Sequence, residues 1–292
     1  MPPSLLLDTN PSIETTIRSR KSIRTYSPKP IPEELKDRVQ KTFDRISGPF
    51  ETPFRFQWLD MPLLEGDEKI TFGTYGVILG ASQFIAGAVK KGDHALEQFG
   101  YGFENLILTI TSLGLGTCWM GGTFSRSQFA KTLHVGEDEW LPAITPVGYP
   151  SWVRGPIDLL FKPITSRIRF PWQKLFFDEN LQSPLTQNKA GIYAVPLEML
   201  RIAPSAANRQ PWRILKQSSL FHFFLAHDRG YKERFNFDMQ KIDMGIAMFH
   251  FEATAREKGL KGEWQVKAPT VHDLPRNWEH IATWQAAEVL RK

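Results

Sequence analysis

Gly114-Leu115 and Trp119 recur as Gly259-Leu260 and Trp264, an offset of 145 residues in each case and about half of the 292-residue chain. Each set follows a long apolar stretch of helical period that itself contains glycine. Pro53-Phe54-Arg55-Phe56 likewise resembles Pro211-Trp212-Arg213-Ile214. A period this long points to duplication of a whole folding unit and not to a solenoid of short repeats. With 41% hydrophobic and 12% aromatic residues, the chain has enough apolar material for the cores that such a duplication needs.

The rest of the composition narrows the function class. Cys118 is the single cysteine, so the chain holds no internal disulfide framework and no thiolate-rich metal site. No general base stands near it in sequence, and it reads as a small buried hydrophobe. The seven histidines show no metal-ligand spacing, so no metal is expected. Lys and Arg number 36 against 31 Asp and Glu, and the surplus of +5 is scattered, which suits small anionic ligands better than nucleic acid. Three leucines near the N-terminus lack the basic flank of a signal peptide. The longest uncharged apolar stretch, residues 76–89, is 14 residues and too short to span a membrane. A cytoplasmic protein without membrane or nucleic-acid partners is the expectation.

Local signals order the elements. Asn10-Pro11 is an N-cap and first-turn pair, with Ile13 and Ile17 one turn apart behind it. Pro32 opens a second helix, along which Leu35, Val39, Phe43 and Ile46 keep helical spacing. Val77 to Val89 has the character of a buried strand. From Asp93, a helix with Phe99, Phe103, Leu106, Ile107, Ile110 and Leu113 on one broad face runs to a stop at Gly114. Ala143 to Gly148 reads as a strand, and Pro150 to Pro171, rich in Pro, Arg and aromatics, as a connector. His222 and His227 lie in an apolar run that reads as another strand.

Three segments carry chemistry. Arg20, Lys21, Ser22 and Arg24 place three cations and a hydroxyl within five residues. Guanidinium groups bind phosphate bidentately, although the same run also fits a solvated basic face. Pro204 to Trp212 is a turn-rich loop in which Ser205, Asn208 and Gln210 offer polar groups beside a large flat Trp212. It suits the border of a planar ligand and, equally, an ordinary helix-to-strand connection. Gly114 to Gly122 follows the long helix, and Gly121-Gly122 would let backbone N–H groups approach a flat ring. This is not a dinucleotide fingerprint, since it follows a helix instead of opening one.

Taken together in this order, the segments resemble the nitroreductase-like family of FMN-dependent oxidoreductases. That family has an Arg-x-Ser-x-Arg/Lys segment, a Pro-Ser-x-x-Asn-x-Gln-Pro-Trp loop and a Gly-Leu-Gly-Thr-x-Trp-x-Gly-Gly run. Its members are typically homodimers with flavin sites built from both chains. Here Ser47 to Phe54 stands where the first half would carry the Pro-Ser-x-x-Asn loop. The second half lacks the basic segment and has Gly262-Glu263-Trp264-Gln265 for the glycine run. The resemblance is thus to a single-chain pseudo-dimer with one FMN. Residues 1–160 would be the half with the basic segment and glycine run, and 161–292 a degenerate half with the Pro-Ser-x-x-Asn loop.

The fold so implied is α+β, a mainly antiparallel sheet flanked by helices, internally duplicated as a monomeric pseudo-dimer. Among the residues assigned to FMN, Arg20, Lys21, Ser22 and Arg24 would meet its phosphate, ribityl chain and pyrimidine edge. Pro204, Ser205 and Asn208 would close the site. Trp119, with the backbone of Met120, Gly121 and Gly122, would face the flavin N5 and O4 edge. Thr74 would meet the pyrimidine edge, and Arg167 and Arg169 are candidates for the basic group that the family places at the phosphate, a solvated connector being the equal alternative for them. No catalytic side chain is required, because the flavin carries the chemistry. NAD(P)H as donor and a nitroaromatic, a quinone or a similar small molecule as acceptor follow from the resemblance. The alternative is an FMN-binding carrier, sensor or scaffold without turnover.

Overall fold

A computed structural model of the chain describes residues 11–61, 73–153, 168–228 and 236–287. Asn10, the expected first N-cap, and most of the connector lie outside the described residues. The described residues form two compact units, one of residues 11, 19–61 and 73–153, the other of residues 12–18, 168–228 and 236–287. Among them, no helix is long and apolar enough to cross a membrane.

The first helix, α1 (Ile13–Ser19), belongs up to Arg18 with the second unit. The backbone N–H groups of Ile13 and Glu14 donate to the Glu257 carboxylate at 2.5 and 3.3 Å. An anion at a helix N-terminus satisfies donors that have no partner within the helix. Lys258 adds an ion pair to Glu14 at 3.3 Å.

In the first unit, α2 (Glu33–Gln40) is shorter than the spacing of Leu35, Val39, Phe43 and Ile46 suggests. Thr42 Oγ1 donates to the Val39 carbonyl at 2.6 Å, and the chain continues as a single 3₁₀ turn over Phe43–Arg45. The strands are β1 (Phe54–Asp60), β2 (Gln83–Lys90), β3 (Gly116–Thr117) and β4 (Glu139–Gly148), ordered β1-β2-β4-β3 with every pair antiparallel. The strand expected from Val77 starts only at Gln83, because Gly76 and Gly80 take φ of +72° and +76° and turn the chain. The helix α3 (Ala95–Ser112) is buried over almost its whole length, its Phe99 and Phe103 stacked at 5.2 Å. Phe103 also meets Phe56 of β1 at 5.6 Å. A shorter α4 (Arg126–Leu133) precedes β4.

The second unit contains α5 (Trp172–Leu175), β5 (Phe176–Asp178), β6 (Asn180–Pro184), α6 (Gln187–Ala190) and α7 (Ala194–Arg201). There follow β7 (Trp212–Gln217), β8 (Leu220–Ala226), α8 (Met239–Glu257), β9 (Gly262–Gln265) and β10 (Trp278–Ala286). Its sheet has the order β6-β5-β7-β8-β10-β9. The run β7-β8-β10-β9 repeats β1-β2-β4-β3 in order and in sense. Additions at the β7 edge are the parallel neighbour β5 and, beyond it, β6. His222 lies in β8, and His227 falls just past its end.

The long helices carry the duplication into detail. Both α3 and α8 end on a glycine in the left-handed region, Gly114 at φ +79° and Gly259 at φ +74°. The next residue then folds its N–H back onto the helix, Leu115 to the Ile110 carbonyl at 3.3 Å and Leu260 to the Ala255 carbonyl at 2.9 Å. Only a residue without a Cβ adopts this cap at low cost, which is why the glycines are the legible part of the repeat. The two tryptophans of the repeat behave alike as well. Trp119 Nε1 donates to Glu104 at 2.6 Å, and Trp264 Nε1 to Glu252 at 2.6 Å.

Candidate functional site

The basic segment is extended backbone stitched into the first unit. Ile23 N donates to the Thr117 carbonyl of β3 at 2.8 Å, Leu79 N to the Arg24 carbonyl at 2.8 Å, and Tyr26 N to the Leu79 carbonyl at 2.9 Å. A Cβ on Gly116 would come within 2.8 Å of the Ile23 side chain, so the glycine of β3 is what lets the segment lie this close. The side chains divide. Arg24 is 9% exposed and the Arg20 side chain 10%, whereas Lys21 is exposed. A solvated basic face therefore describes Lys21 and not the two arginines.

Glu104, which the sequence reading passed over, joins two of the predicted residues. It is fully buried on α3 and accepts from Trp119, and its other oxygen lies 4.0 Å from Arg20 Nε. A carboxylate in that position needs a cation or strong donors nearby. The signal was an acid, Glu104, within a largely apolar helix that carries a second buried acid, Glu97, two turns earlier.

The glycine run leaves β3 and turns under β4. Cys118 is buried, its N–H bonded to Thr145 Oγ1 at 3.0 Å. Met120 exchanges both backbone hydrogen bonds with Ile144 at 3.0 Å, so its N–H is already committed to the Ile144 carbonyl. Gly121 and Gly122 enter none of the backbone N–H bonds found among the described residues. Arg126 pins this turn by donating to the carbonyls of Gly121 at 2.7 Å, Leu141 at 2.9 Å and Pro142 at 3.2 Å. Burial lowers the pKa of its guanidinium. Thr74 is fully buried in the turn Gly73 to Gly76, which is tied to α4 by Ser125 N donating to the Gly73 carbonyl at 2.7 Å.

In the second unit, the loop from Pro204 to Trp212 is shaped by its own polar groups. Gln210 N donates to Ser205 Oγ at 2.9 Å, and Ala206 N to Asp243 Oδ1 of α8 at 2.9 Å. Ala207, Asn208 and Gln210 all take positive φ, of 48°, 57° and 50°. Outside glycine such angles carry strain and persist only where neighbours enforce them. Asn208 and Arg169, both predicted site residues, are bonded to each other at 2.9 Å. Arg169 also donates to the Ile202 carbonyl at 3.1 Å. Arg213 follows the loop and donates to the Gln210 and Trp212 carbonyls, with burial lowering its pKa to about 10. Arg167 lies outside the described residues.

A protein-family model described as "Putative TM nitroreductase" matches residues 12–255. Among solved structures, one described as a "putative nitroreductase" from Thermotoga maritima is 22% identical over 94% of this chain and 93% of that one, with a TM-score of 0.57, and shares the fold. Two shorter chains also match. A nitroreductase with bound FMN from Bacteroides fragilis is 20% identical over 50% of this chain and 92% of its own, with a TM-score of 0.37. An FMN-dependent nitroreductase from Clostridium difficile is 19% identical over 53% and 96%, with a TM-score of 0.36. No curated protein matches the chain.

Proposed function

The chain belongs to the nitroreductase family whose model spans residues 12–255, and from that premise we propose that it is an FMN-dependent oxidoreductase holding one FMN per chain. The observation that carries the reading is the pair Arg20 and Arg24, each about nine-tenths buried on a backbone segment bonded to β3, the strand that opens the glycine run. Guanidinium groups bind phosphate through bidentate, charge-assisted hydrogen bonds, and two of them on one short, fixed segment suit such an anion.

Bound FMN would supply the redox chemistry, taking hydride from NAD(P)H and passing electrons to a nitroaromatic, a quinone or a similar acceptor. Arg20 and Arg24 bind and orient its anionic and polar groups, Ser22 adds a hydroxyl, and Lys21 contributes long-range attraction from the surface. The N–H groups of Gly121 and Gly122 are available as donors to a ring edge that gains negative charge, as electrostatic stabilisation requires. Trp119, anchored by Glu104, is a flat wall with a fixed orientation. Thr74 is assigned to the pyrimidine edge, Arg167 and Arg169 to the phosphate, and Pro204, Ser205 and Asn208 to flavin binding on the family motif. The protein acts as a cytoplasmic monomer.

Purified protein that is yellow, with FMN near one per chain and with NAD(P)H oxidation stimulated by nitrofurazone or menadione, is the expected result. Arg20→Ala and Asn208→Ala should each weaken FMN binding about tenfold or more, since each removes a polar contact worth roughly 1.4 kcal/mol or above. Colourless protein that takes up no added FMN would end the reading. Bound FMN without oxidation by any acceptor would leave a carrier, sensor or scaffold.

A further inference from the structure

Asp243 lies in the second turn of α8, 3% exposed, with Oδ1 accepting from Ala206 N at 2.9 Å. Its Oδ2 has no hydrogen-bond partner among the described residues. The first unit holds its counterpart. At the 145-residue offset that relates Gly114 to Gly259, the residue on α3 is Gln98, 4% exposed, whose Oε1 accepts from Phe50 N at 2.9 Å. Phe50 belongs to the stretch before β1, as Ala206 belongs to the loop before β7. Both long helices thus reach out with one buried side chain to hold the loop that enters the first strand of the repeat. Only the copy that carries the Pro-Ser-x-x-Asn loop uses an acid for it.

We propose that Asp243 is a positioning residue that sets the Pro204–Trp212 loop for flavin binding in the second unit, as Gln98 sets the corresponding loop in the first. The proposal rests on the flavin reading above. Three residues of the loop sit at positive φ, and a backbone under that constraint needs an anchor at its start; the bond to Ala206 N supplies it. Burial holds the Asp243 carboxyl well above the usual carboxylate range, and Asp238, the N-cap of the same helix, pushes it the same way. Against these, the hydrogen bond from Ala206 N pulls the carboxyl the other way, and burial outweighs it. Burial favours the uncharged acid, in which Asp243 would match the Gln98 amide: one oxygen accepts, and the other carries a hydrogen.

The test is FMN titration of the full chain by flavin fluorescence for the wild type, Asp243→Ala, Asp243→Ser, Asp243→Asn and Gln98→Ala, at about pH 6 and about pH 9. Asp243→Ala and Asp243→Ser should raise the FMN Kd about tenfold or more. Asp243→Asn, which keeps acceptor and donor, should stay within about threefold of the wild type. Gln98→Ala should lower the melting temperature and leave the Kd unchanged. Both proteins share the pH dependence of the FMN phosphate itself, and beyond it the wild type should lose more affinity toward high pH than Asp243→Asn does. A folded Asp243→Ala with wild-type Kd, a Gln98→Ala that weakens FMN equally, or an Asp243→Asn that keeps the wild-type pH profile would each overturn the proposal. If the alanine and serine variants do not fold, the asparagine profile decides. A wild type that binds no FMN removes the flavin reading itself, a result distinct from any of these.

Discussion

Arg169 Nη1 donates to Asn208 Oδ1 at 2.9 Å, and Asn208 Nδ2 donates to the Ile168 carbonyl at 2.9 Å. The side chain that the family motif singles out is therefore held at both of its polar atoms, with its backbone in the left-handed region at φ 57°. Asn is one of the few residues other than glycine that tolerates this conformation, so one position supplies both backbone shape and side-chain recognition. Arg169→Ala and Asn208→Ala should each destabilise the fold by about 1–2 kcal/mol. The double variant should fall short of the sum by about 1 kcal/mol, as expected of partners in one bond. A double-mutant cycle by urea denaturation gives the coupling directly, and strict additivity would show that the contact does not persist in solution.

What could be read from the sequence was whatever rests on local chemistry. Gly114 and Gly259 announced both long helices because a left-handed cap selects glycine in any context. Pro53 and Pro211 showed only that two tetrapeptides resemble each other; that each stands directly before a strand, β1 or β7, came from the structure. The allegiance of α1 was not legible: the spacing of Ile13 and Ile17 says that one face is apolar and nothing about which core covers it. Glu104 and Asp243 were hidden by the same rule that finds helices, which treats a charged residue on a buried face as an exception. The late start of β2 and the break after α2 depend on Gly76, Gly80 and Thr42, whose effect is decided by the neighbours they meet. Within the site, motif order assigned Arg20, Arg24 and Asn208, but not the partners that hold them.

The paired Trp–Glu contacts give a comparison internal to the chain. Glu252 divides its carboxylate between Trp264 and Arg256 of its own helix, at 2.6 Å to each. Glu104 shares its own between Trp119 and the more distant Arg20. Trp119→Phe and Trp264→Phe both remove an indole donor from a buried carboxylate, so both should cost about 1–3 kcal/mol in stability. Only Trp119→Phe should also weaken FMN binding. Equal effects on FMN from the two variants would mean that the contact is purely structural.

His222 makes stability pH-dependent. It is 3% exposed in β8 and bonded through Nδ1 to Thr283 Oγ1 at 2.7 Å, and burial lowers its pKa from 6.5 to about 4. The unfolded chain takes up a proton near pH 6.5 that the folded chain refuses until about pH 4. Its contribution is thus complete above pH 6.5 and is lost as the pH falls from there to about 4. Urea midpoints measured across that window should decline with falling pH in the wild type, and less steeply in His222→Gln. Parallel slopes for the two proteins would place the dependence elsewhere.

Arg126 occupies the first position of α4, where a cation opposes the helix dipole, so its presence there calls for another reason. The reason is the three carbonyls of Gly121, Leu141 and Pro142 that converge on its planar fork. A lysine cannot reproduce that geometry, because its ammonium is a single point on a flexible stem. Arg126→Lys and Arg126→Met should both lower stability by about 1–3 kcal/mol, the loss expected when buried acceptors lose their donors. Both should also weaken FMN binding, since the turn that presents Gly121 and Gly122 is no longer fixed. Thermal denaturation and FMN titration read the two effects separately. Full rescue by lysine would show that charge near the turn suffices, and that the fork geometry is incidental.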